Sequence, residues 1–376
     1  MCNIDLAEMI LERLSILNYK NIEQTELNLS SKINCFLGSN GMGKTNLLDA
    51  IYYLSFCKSH NNPVDSQNIR HDADFAVIQG WYLINDKQDE FFCSLRRKQK
   101  KQFKRNKKEY ERLSDHIGLL PLVMVSPSDT ELIHGGSDER RKFIDLFLSQ
   151  FDKEYLYSLI RYNKALQQRN ALLKTDGHID ETLLDLWDDQ LIDEGQIIYS
   201  KRKSFIDKFI PIFQKFYDFI CLSNERVELK YESHFDGDDF SLLLKQRRER
   251  DKILGYTTVG IHKDDLDMQM DSYSMRRVGS QGQNKTYVVA LKLAQFDFLR
   301  KATDTTPVLL LDDIFDKLDS SRVEQIITLV LDKDFGQIFI TDTNREHLDD
   351  ILSRTNSNYH LYEVAKGEVI QKNITP

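Results

Sequence analysis

Apolar positions change their spacing twice along this chain. From Met9 to Leu17 they read as a first strand, and Ile33-Asn-Cys-Phe-Leu37 reads as another. Between Asn46 and Phe56 the period lengthens, with Leu47, Leu48, Ile51 and Leu54 at helical spacing. Phe75–Ile84 and Phe91–Leu95 return to strand texture. From Ser137 to about Cys221 the pattern predicts long helices. Phe143, Phe147 and Phe151 recur every four residues, and Tyr155, Leu159, Tyr162 and Leu166 continue the stripe. Gly177 interrupts it; Leu184, Trp187 and Leu191, then Phe205, Phe209 and Phe213, resume it, with Pro211 predicted at a kink or boundary. These helical segments run to roughly 20–35 residues, far short of a long coiled coil. Beyond Gly255 the alternation of short apolar runs and helices returns. Pro307-Val-Leu-Leu-Leu311 and Gln337-Ile-Phe-Ile-Thr341 have the texture of buried parallel strands. The pattern predicts an α/β head built from both ends of the chain, residues 1–136 and 255–376, with a helical arm domain, residues 137–254, inserted between.

Composition narrows the class. The chain has 376 residues, 41% hydrophobic and 29% charged, as expected of a folded soluble protein. No apolar run approaches the roughly 20 residues of a membrane span. Acids stand at the N-terminus where a secretory signal carries bases, so no export is expected, and residues 1–8 read as an extension ahead of the first strand. The five cysteines (Cys2, Cys35, Cys57, Cys93 and Cys221) are scattered without a CxxC, which fits a reducing cytoplasm better than a disulfide framework. The net charge of −8 speaks against a chain coated in nucleic acid, although a local basic patch remains compatible with it.

The chemistry begins at a G-x-x-x-x-G-K-T run formed by Gly38, Ser39, Asn40, Gly41, Met42, Gly43, Lys44 and Thr45, followed by Asn46. A strand precedes it and a helix follows, the context in which backbone N–H groups and a helix N-terminus cradle phosphate. Lys44 is expected to reach the β- and γ-phosphates of ATP, and the Thr45 hydroxyl to ligate Mg²⁺. Later, Leu309-Leu-Leu-Asp312-Asp313 places two acids after an apolar strand. At the C-terminal edge of an open sheet, Asp312 suits Mg²⁺ and Asp313 suits a base that orients attacking water; taken alone, the same run reads as a core strand with a polar end. Ser280-Gln281-Gly282-Gln283 precedes an apolar-periodic helix through Tyr287, Val288, Leu291, Leu293 and Ala294. Ser280 fits a helix cap. The run also resembles the signature loop of ATP-binding-cassette ATPases, in which serine and glycine meet the γ-phosphate held by a second subunit. By that resemblance Ser280, Gly282 and Gln283 join the nucleotide site, and Asp316–Asp319 fits the loop that crosses the dimer interface. Asp342 stands where such ATPases usually carry a histidine, and Asp313 where most carry glutamate, a shorter arm that implies slow turnover.

Further segments resemble the RecF family of bacterial recombination mediators, whose cassette-type heads are like those of SMC proteins. Asn18-Tyr19-Lys20-Asn21 is similar to an early Asn-Phe-Arg segment, with Lys for Arg. Ser126-Pro127-x-Asp129 through Arg140-Arg141-Lys-Phe-Ile-Asp145 is similar to Ser-Pro-Glu-Asp … Arg-Arg-x-Phe-Leu-Asp. Tyr162, Leu166, Arg169-Asn170, Leu172-Leu173 and Trp187-Asp188 match the arm helices, and Gly260-Ile-His262-Lys263-Asp264-Asp265-Leu266 is similar to Gly-Pro-His-Arg-Asp-Asp-Leu. The resemblance covers nearly the whole chain. It implies an ATP-dependent homodimer that binds gapped DNA and single/double-strand junctions. It further implies partnership with RecR and RecO in loading RecA, in replication restart and in the SOS response, with weak ATPase activity as the reset.

The most basic stretch, Arg96 to Lys108, carries Arg96, Arg97, Lys98, Lys100, Lys101, Lys104, Arg105, Lys107 and Lys108 and no acid. It reads either as a solvated hairpin or as a surface that tracks DNA phosphates without reading bases. Arg247, Arg248 and Arg250 form a second basic cluster, and His262 reads either as a site residue or as a packed histidine. Other readings of the chain are the engine of a transport ATPase, an SMC-like ATPase serving a nuclease, and a DNA-binding scaffold with an inactive nucleotide site.

Overall fold

The structure, a computed structural model, describes residues 8–175, 179–221, 225–237, 239–315, 318–331, 335–344 and 359–372. The chain forms two compact units, one of residues 1–129 and 292–376, the other of residues 130–291.

The first unit opens with β1 (Met9–Tyr19), β2 (Ile22–Asn28), β3 (Ile33–Leu37), α1 (Lys44–Phe56), β4 (Phe75–Ile84), β5 (Lys87–Arg96), β6 (Gln102–Arg105), β7 (Lys108–Glu109) and β8 (Leu122–Val125). Six of these strands form an antiparallel sheet in the order β2-β1-β4-β5-β6-β7. Alternation drives it: Ala76, Ile78, Gly80 and Tyr82 of β4 point inward, and the residues between them are less buried. Gly80 is small for a reason, since a Cβ there would lie 2.7 Å from Leu54 Cδ1 of α1. Residues Leu47, Leu48, Ala50, Ile51, Tyr53 and Leu54 of that helix are fully buried, so it packs as a core element.

The second unit holds α2 (Glu131–His134), α3 (Ser137–Leu148), α4 (Lys153–Leu173), α5 (Glu181–Cys221), β9 (Val227–Glu232), α6 (Phe240–Leu254), β10 (Asp265–Met270), β11 (Tyr273–Ser274), α7 (Met275–Val278) and the start of α8 (Gln281–Thr303). Asp152 caps α4 by accepting from the Tyr155 N–H, and Asp239 caps α6. Of the two alternatives at Pro211, a kink or a boundary, the boundary is excluded: α5 is one 41-residue helix with Pro211 inside it, longer than the segments predicted. Proline removes one backbone hydrogen bond, whereas the stripe of Phe205, Phe209, Phe213 and Tyr217 on either side is buried, and the packing outweighs the loss. Gly177 lies outside the described residues. Gly255 ends α6 in the left-handed conformation with φ 71°, as a C-terminal glycine does. The compact units do not divide there, however. Strand β10 pairs antiparallel with β9 from Asp265↔Glu232 to Met270↔Val227, which ties the chain after Gly255 into the second unit up to residue 291.

Back in the first unit, α8 is followed by β12 (Val308–Asp312), α9 (Ser320–Val330), β13 (Ile338–Asp342), β14 (Tyr359–Ala365) and β15 (Glu368–Lys372). A second six-stranded sheet has the order β15-β14-β3-β13-β12-β8. All its pairings are parallel except β14 with β15. Strands β8, β12 and β13 are buried along their whole length, the signature of a parallel sheet covered on both faces. The two ends of the chain thus meet in one sheet, as the texture of the sequence predicts. Among the described residues no helix is long and apolar enough to cross a membrane.

Candidate nucleotide site and basic hairpin

Strands β3, β12 and β13 end side by side. Leu37 lies opposite Asp342, and Thr341 opposite Asp312, so the glycine-rich loop leaves the same sheet edge at which the acids arrive. That is where open α/β sheets bind ligands. The loop is seated closely. Gly38 donates its N–H to the Asp342 carbonyl at 3.3 Å, and a Cβ on it would lie 2.3 Å from the Val364 carbonyl oxygen. Gly43 has φ 114°, and a Cβ there would meet Asn21 Oδ1 at 2.8 Å. Ser39, Asn40 and Gly41 are exposed at the crest, and Met42 is held by the Gly367 N–H to its carbonyl at 2.9 Å.

The charged groups sit behind this crest. Lys44 is 4% exposed, and its ammonium donates to the carbonyls of Gly38 at 2.7 Å and Ser39 at 3.3 Å. The Thr45 hydroxyl donates to Asp312 Oδ1 at 3.0 Å, and Thr341 donates to the same oxygen at 2.7 Å. Burial pushes the Asp312 carboxyl above its ordinary range, against the pull of the two hydroxyls and Lys44. Asp313 follows in the left-handed region with φ 46°, its N–H donating to Thr341 Oγ1 at 3.0 Å. Asp342 is 5% exposed, and its Oδ1 accepts from the Asn344 N–H at 2.8 Å. Of the segment Asp316–Asp319, Asp316 and Lys317 lie outside the described residues, while Asp319 caps α9 by accepting from the Arg322 N–H at 3.0 Å.

Three supporting residues have no role that a motif assigns, although Asn21 stands in the segment similar to the early Asn-Phe-Arg run. Asn21 donates to the Met42 carbonyl at 3.2 Å and accepts from Asn46 at 2.7 Å, clipping the loop from the β1–β2 turn. Asp49, fully buried in α1, accepts from Tyr19 at 2.6 Å, Ser59 at 2.8 Å and the His60 N–H at 2.7 Å, and pairs with Lys20 at 2.5 Å. One signal for it exists in sequence, a carboxylate amid an unbroken apolar helix. Thr341 looks like any strand residue.

In the second unit, Ser280 and Gln283 form a reciprocal cap. The Gln283 N–H donates to Ser280 Oγ at 3.2 Å, and the Ser280 N–H donates to Gln283 Oε1 at 3.0 Å. Gln283 Nε2 also donates to Glu225 Oε1 at 3.0 Å, and the Gly282 carbonyl accepts from Thr286 at 2.8 Å. His262 is a packed histidine. Its Nδ1 meets the Tyr162 hydroxyl at 2.8 Å, its Nε2 meets the Thr257 carbonyl at 3.1 Å, and burial pulls its pKa down to about 4.

The basic stretch is the β5–β6–β7 hairpin of the first unit, turning at Asn106-Lys107, both with positive φ, as a tight two-residue turn requires. Its nine cations differ in their surroundings. Arg97 donates to the carbonyls of Ala73 at 3.1 Å and Arg70 at 3.2 Å, Lys101 donates to the Cys57 carbonyl at 2.6 Å, and Arg105 pairs with Asp89 at 2.5 Å. The Arg105 hydrogen bond holds the Asp89 carboxyl below its ordinary range. Lys104 is half-buried, 5.8 Å from the Phe92 ring centre, whereas Arg96, Lys98, Lys100, Lys107 and Lys108 are exposed. Arg248, from the second cluster, is bound to Asp185 and Asp188 at 2.6 Å each.

Comparison with known proteins places this geometry. Residues 10–369 match the model of the RecF/RecN/SMC N terminal domain. The chain is 62% identical over 362 residues to a DNA replication and repair protein RecF of Bacteroides fragilis, covering 96% of this chain and 98% of that one. It is 60% identical over 366 residues to the protein of that name from Phocaeicola vulgatus, covering 97% and 99%. Among solved structures it is similar to the recombination mediator protein RecF-ATP of the RecFOR pathway, with TM-score 0.89 and 27% identity over 99% of this chain and 100% of that one. The Smc head domain of Pyrococcus furiosus, with TM-score 0.57 and 14% identity over 97% of this chain and 96% of that one, shares the fold alone. The head is therefore of the SMC/RecF type, and the chain belongs to the RecF family of DNA replication and repair proteins.

Proposed function

We propose that this protein binds ATP with Mg²⁺ at the edge of its parallel sheet, pairs with a second copy, and in that state binds gapped DNA or a single/double-strand junction. The observation that carries the reading is the convergence of Lys44, Thr45, Asp312 and Asp313 on one sheet edge. The relative solved with ATP supports the nucleotide. The residues also fit the metal. Thr45 gives its proton to Asp312, leaving its hydroxyl lone pairs free, and Mg²⁺ bound beside phosphates needs only one or two protein oxygens. No group of three or more acids, histidines or cysteines poised for a metal occurs among the described residues, which accords with a metal held largely by nucleotide and water. Mg²⁺ supplies charge neutralisation on the phosphates when bound. Asp313 orients water, and hydrolysis is slow and serves as the release step. Ser280, Gly282 and Gln283 contact the nucleotide of the second copy. The cap leaves the Ser280 hydroxyl proton available, because its oxygen accepts rather than donates in that bond.

DNA contacts fall on the exposed half of the hairpin, Arg96, Lys98, Lys100, Lys107 and Lys108, with Arg97, Lys101 and Arg105 holding its shape. RecR, acting with RecO, is the partner, RecA loading during replication restart and the SOS response the outcome, and the cytoplasm the location. The test is binding to gapped duplex with and without ATP and Mg²⁺, for the native chain and Lys44→Met. Tight binding is expected only of the native chain with ATP and Mg²⁺ present. Equal binding in all four conditions would instead favour an ATP-independent scaffold.

A further inference from the structure

One buried side chain touches both acids of the nucleotide site. Thr341 is fully buried in β13, one strand away from the acids, and its register partner is Asp312. Its hydroxyl has one proton and two lone pairs. The proton goes to Asp312 Oδ1 at 2.7 Å, and a lone pair accepts the Asp313 N–H at 3.0 Å. The Thr341 carbonyl lies 3.3 Å from the same N–H. Asp313 takes its left-handed turn, φ 46°, at this contact, which bends the chain out of the strand line immediately after Asp312. Aspartate enters this conformation more readily than most residues with a Cβ, and here both Thr341 oxygens accept from its N–H. Among the described residues, Asp312 accepts from the hydroxyls of Thr45 and Thr341.

We propose that Thr341 is the positioning residue of this site: its hydroxyl aims the Asp312 carboxylate at the metal and sets the backbone turn that presents Asp313. The proposal rests on the reading of Asp312 as the Mg²⁺ contact. Thr341 touches neither nucleotide nor metal. It acts from the neighbouring strand as outer-shell hydrogen-bond partners of metal ligands do.

The test is a Mg²⁺ titration of fluorescent ATP-analogue binding to the full chain, comparing the native protein with Thr341→Val, Thr341→Ala and Thr341→Ser, with thermal unfolding run in parallel. Thr341→Val keeps the shape and removes the hydroxyl. The Mg²⁺ concentration for half-maximal binding is expected to rise on the order of tenfold or more. Affinity measured without Mg²⁺, which depends on Lys44 and the loop, is expected to stay unchanged. Thr341→Ala gives the same shift without the buried methyl, so the question survives if the valine variant does not fold. Thr341→Ser restores the native midpoint. An unchanged midpoint in the folded valine or alanine variant overturns the proposal, as does a serine variant as impaired as they are, which would assign the effect to packing. A native chain whose nucleotide binding ignores Mg²⁺ overturns the metal reading itself, and this proposal with it.

Discussion

The chain contains two Asp-Asp pairs at strand ends, and their surroundings are opposite. Asp264 and Asp265 open β10 and are held by arginines. Arg202 reaches Asp264 at 2.9 Å and Asp145 at 2.7 Å, Arg140 grips Asp265 with two bonds at 2.6 and 2.9 Å, and Arg141 donates to the Asp264 carbonyl at 2.5 Å. Tyr231 also donates to Asp264. Asp312 and Asp313 close β12 and are held by hydroxyls and amides. Burial raises both Asp264 and Asp312. For Asp265, burial is outweighed by Arg140, and its carboxyl lies below the ordinary range. A carboxylate paired with guanidinium is already neutralised and serves as a brace. Asp312 is held instead by two neutral hydroxyls, with Lys44 near enough to pull on its charge, the setting that the proposed cation site uses. Two identical dipeptides thus acquire different hydrogen-bonding surroundings from their neighbours alone.

The sharpest way to break this contrast is to mutate one member of each set. Arg202→Met leaves Asp145 and Asp264 without their guanidinium, and chemical denaturation is expected to show a loss of about 3–5 kcal/mol. Asp312→Asn is expected to cost little in that assay without nucleotide, since it keeps an acceptor oxygen for Thr45 and Thr341 and removes a buried charge. It should weaken Mg²⁺-dependent nucleotide binding on the order of 100-fold. Were both variants to lose stability alike, the two acid pairs would be the same kind of structural element.

A third experiment uses pH. His262 is buried in the same unit as the arginine-held pair, with its pKa lowered to about 4. The unfolded chain titrates this histidine near 6.5, so it takes up a proton first as pH falls. The contribution is complete above about pH 6.5 and is lost progressively towards pH 4, by about 3 kcal/mol in the limit. Urea unfolding at pH 7 and pH 5 measures it, and His262→Gln should flatten the difference. A native stability independent of pH over this interval would contradict the packed, neutral histidine.

The smallest effects are expected on the hairpin. Replacing Lys98, Lys100, Lys107 or Lys108 with alanine should lower the salt dependence of DNA binding by about one unit of log–log slope each, without changing sequence preference. Arg105→Ala should act mainly through stability, because its partner is Asp89. Equal slopes for both classes would mean that the sorting by internal partners does not govern DNA contact.

Much of this was open to a reader of the sequence. Local chemistry makes the loop legible, because glycines at Gly38, Gly41 and Gly43 followed by Lys44-Thr45 have few other uses. Strand β4 was legible to the residue, since its alternation is strict. The unbroken α5 was not, because a proline is a strong local signal and only the burial of Phe205 to Tyr217 overrides it. Nor was the placement of residues 255–291, whose association depends on β9 pairing with β10 more than 30 residues away. The sequence by itself determined most of the strands and helices, the glycine-rich loop ahead of α1 and the two acid pairs at 264–265 and 312–313, because each depends on residues close together in the chain. Only the tertiary structure decided which pair faces arginine and which faces hydroxyl, that Thr341 serves both Asp312 and Asp313, and which hairpin cations are free to meet a partner. Those outcomes depend on which side chains strand order and packing bring within hydrogen-bond reach, and no spacing along the chain encodes that distance.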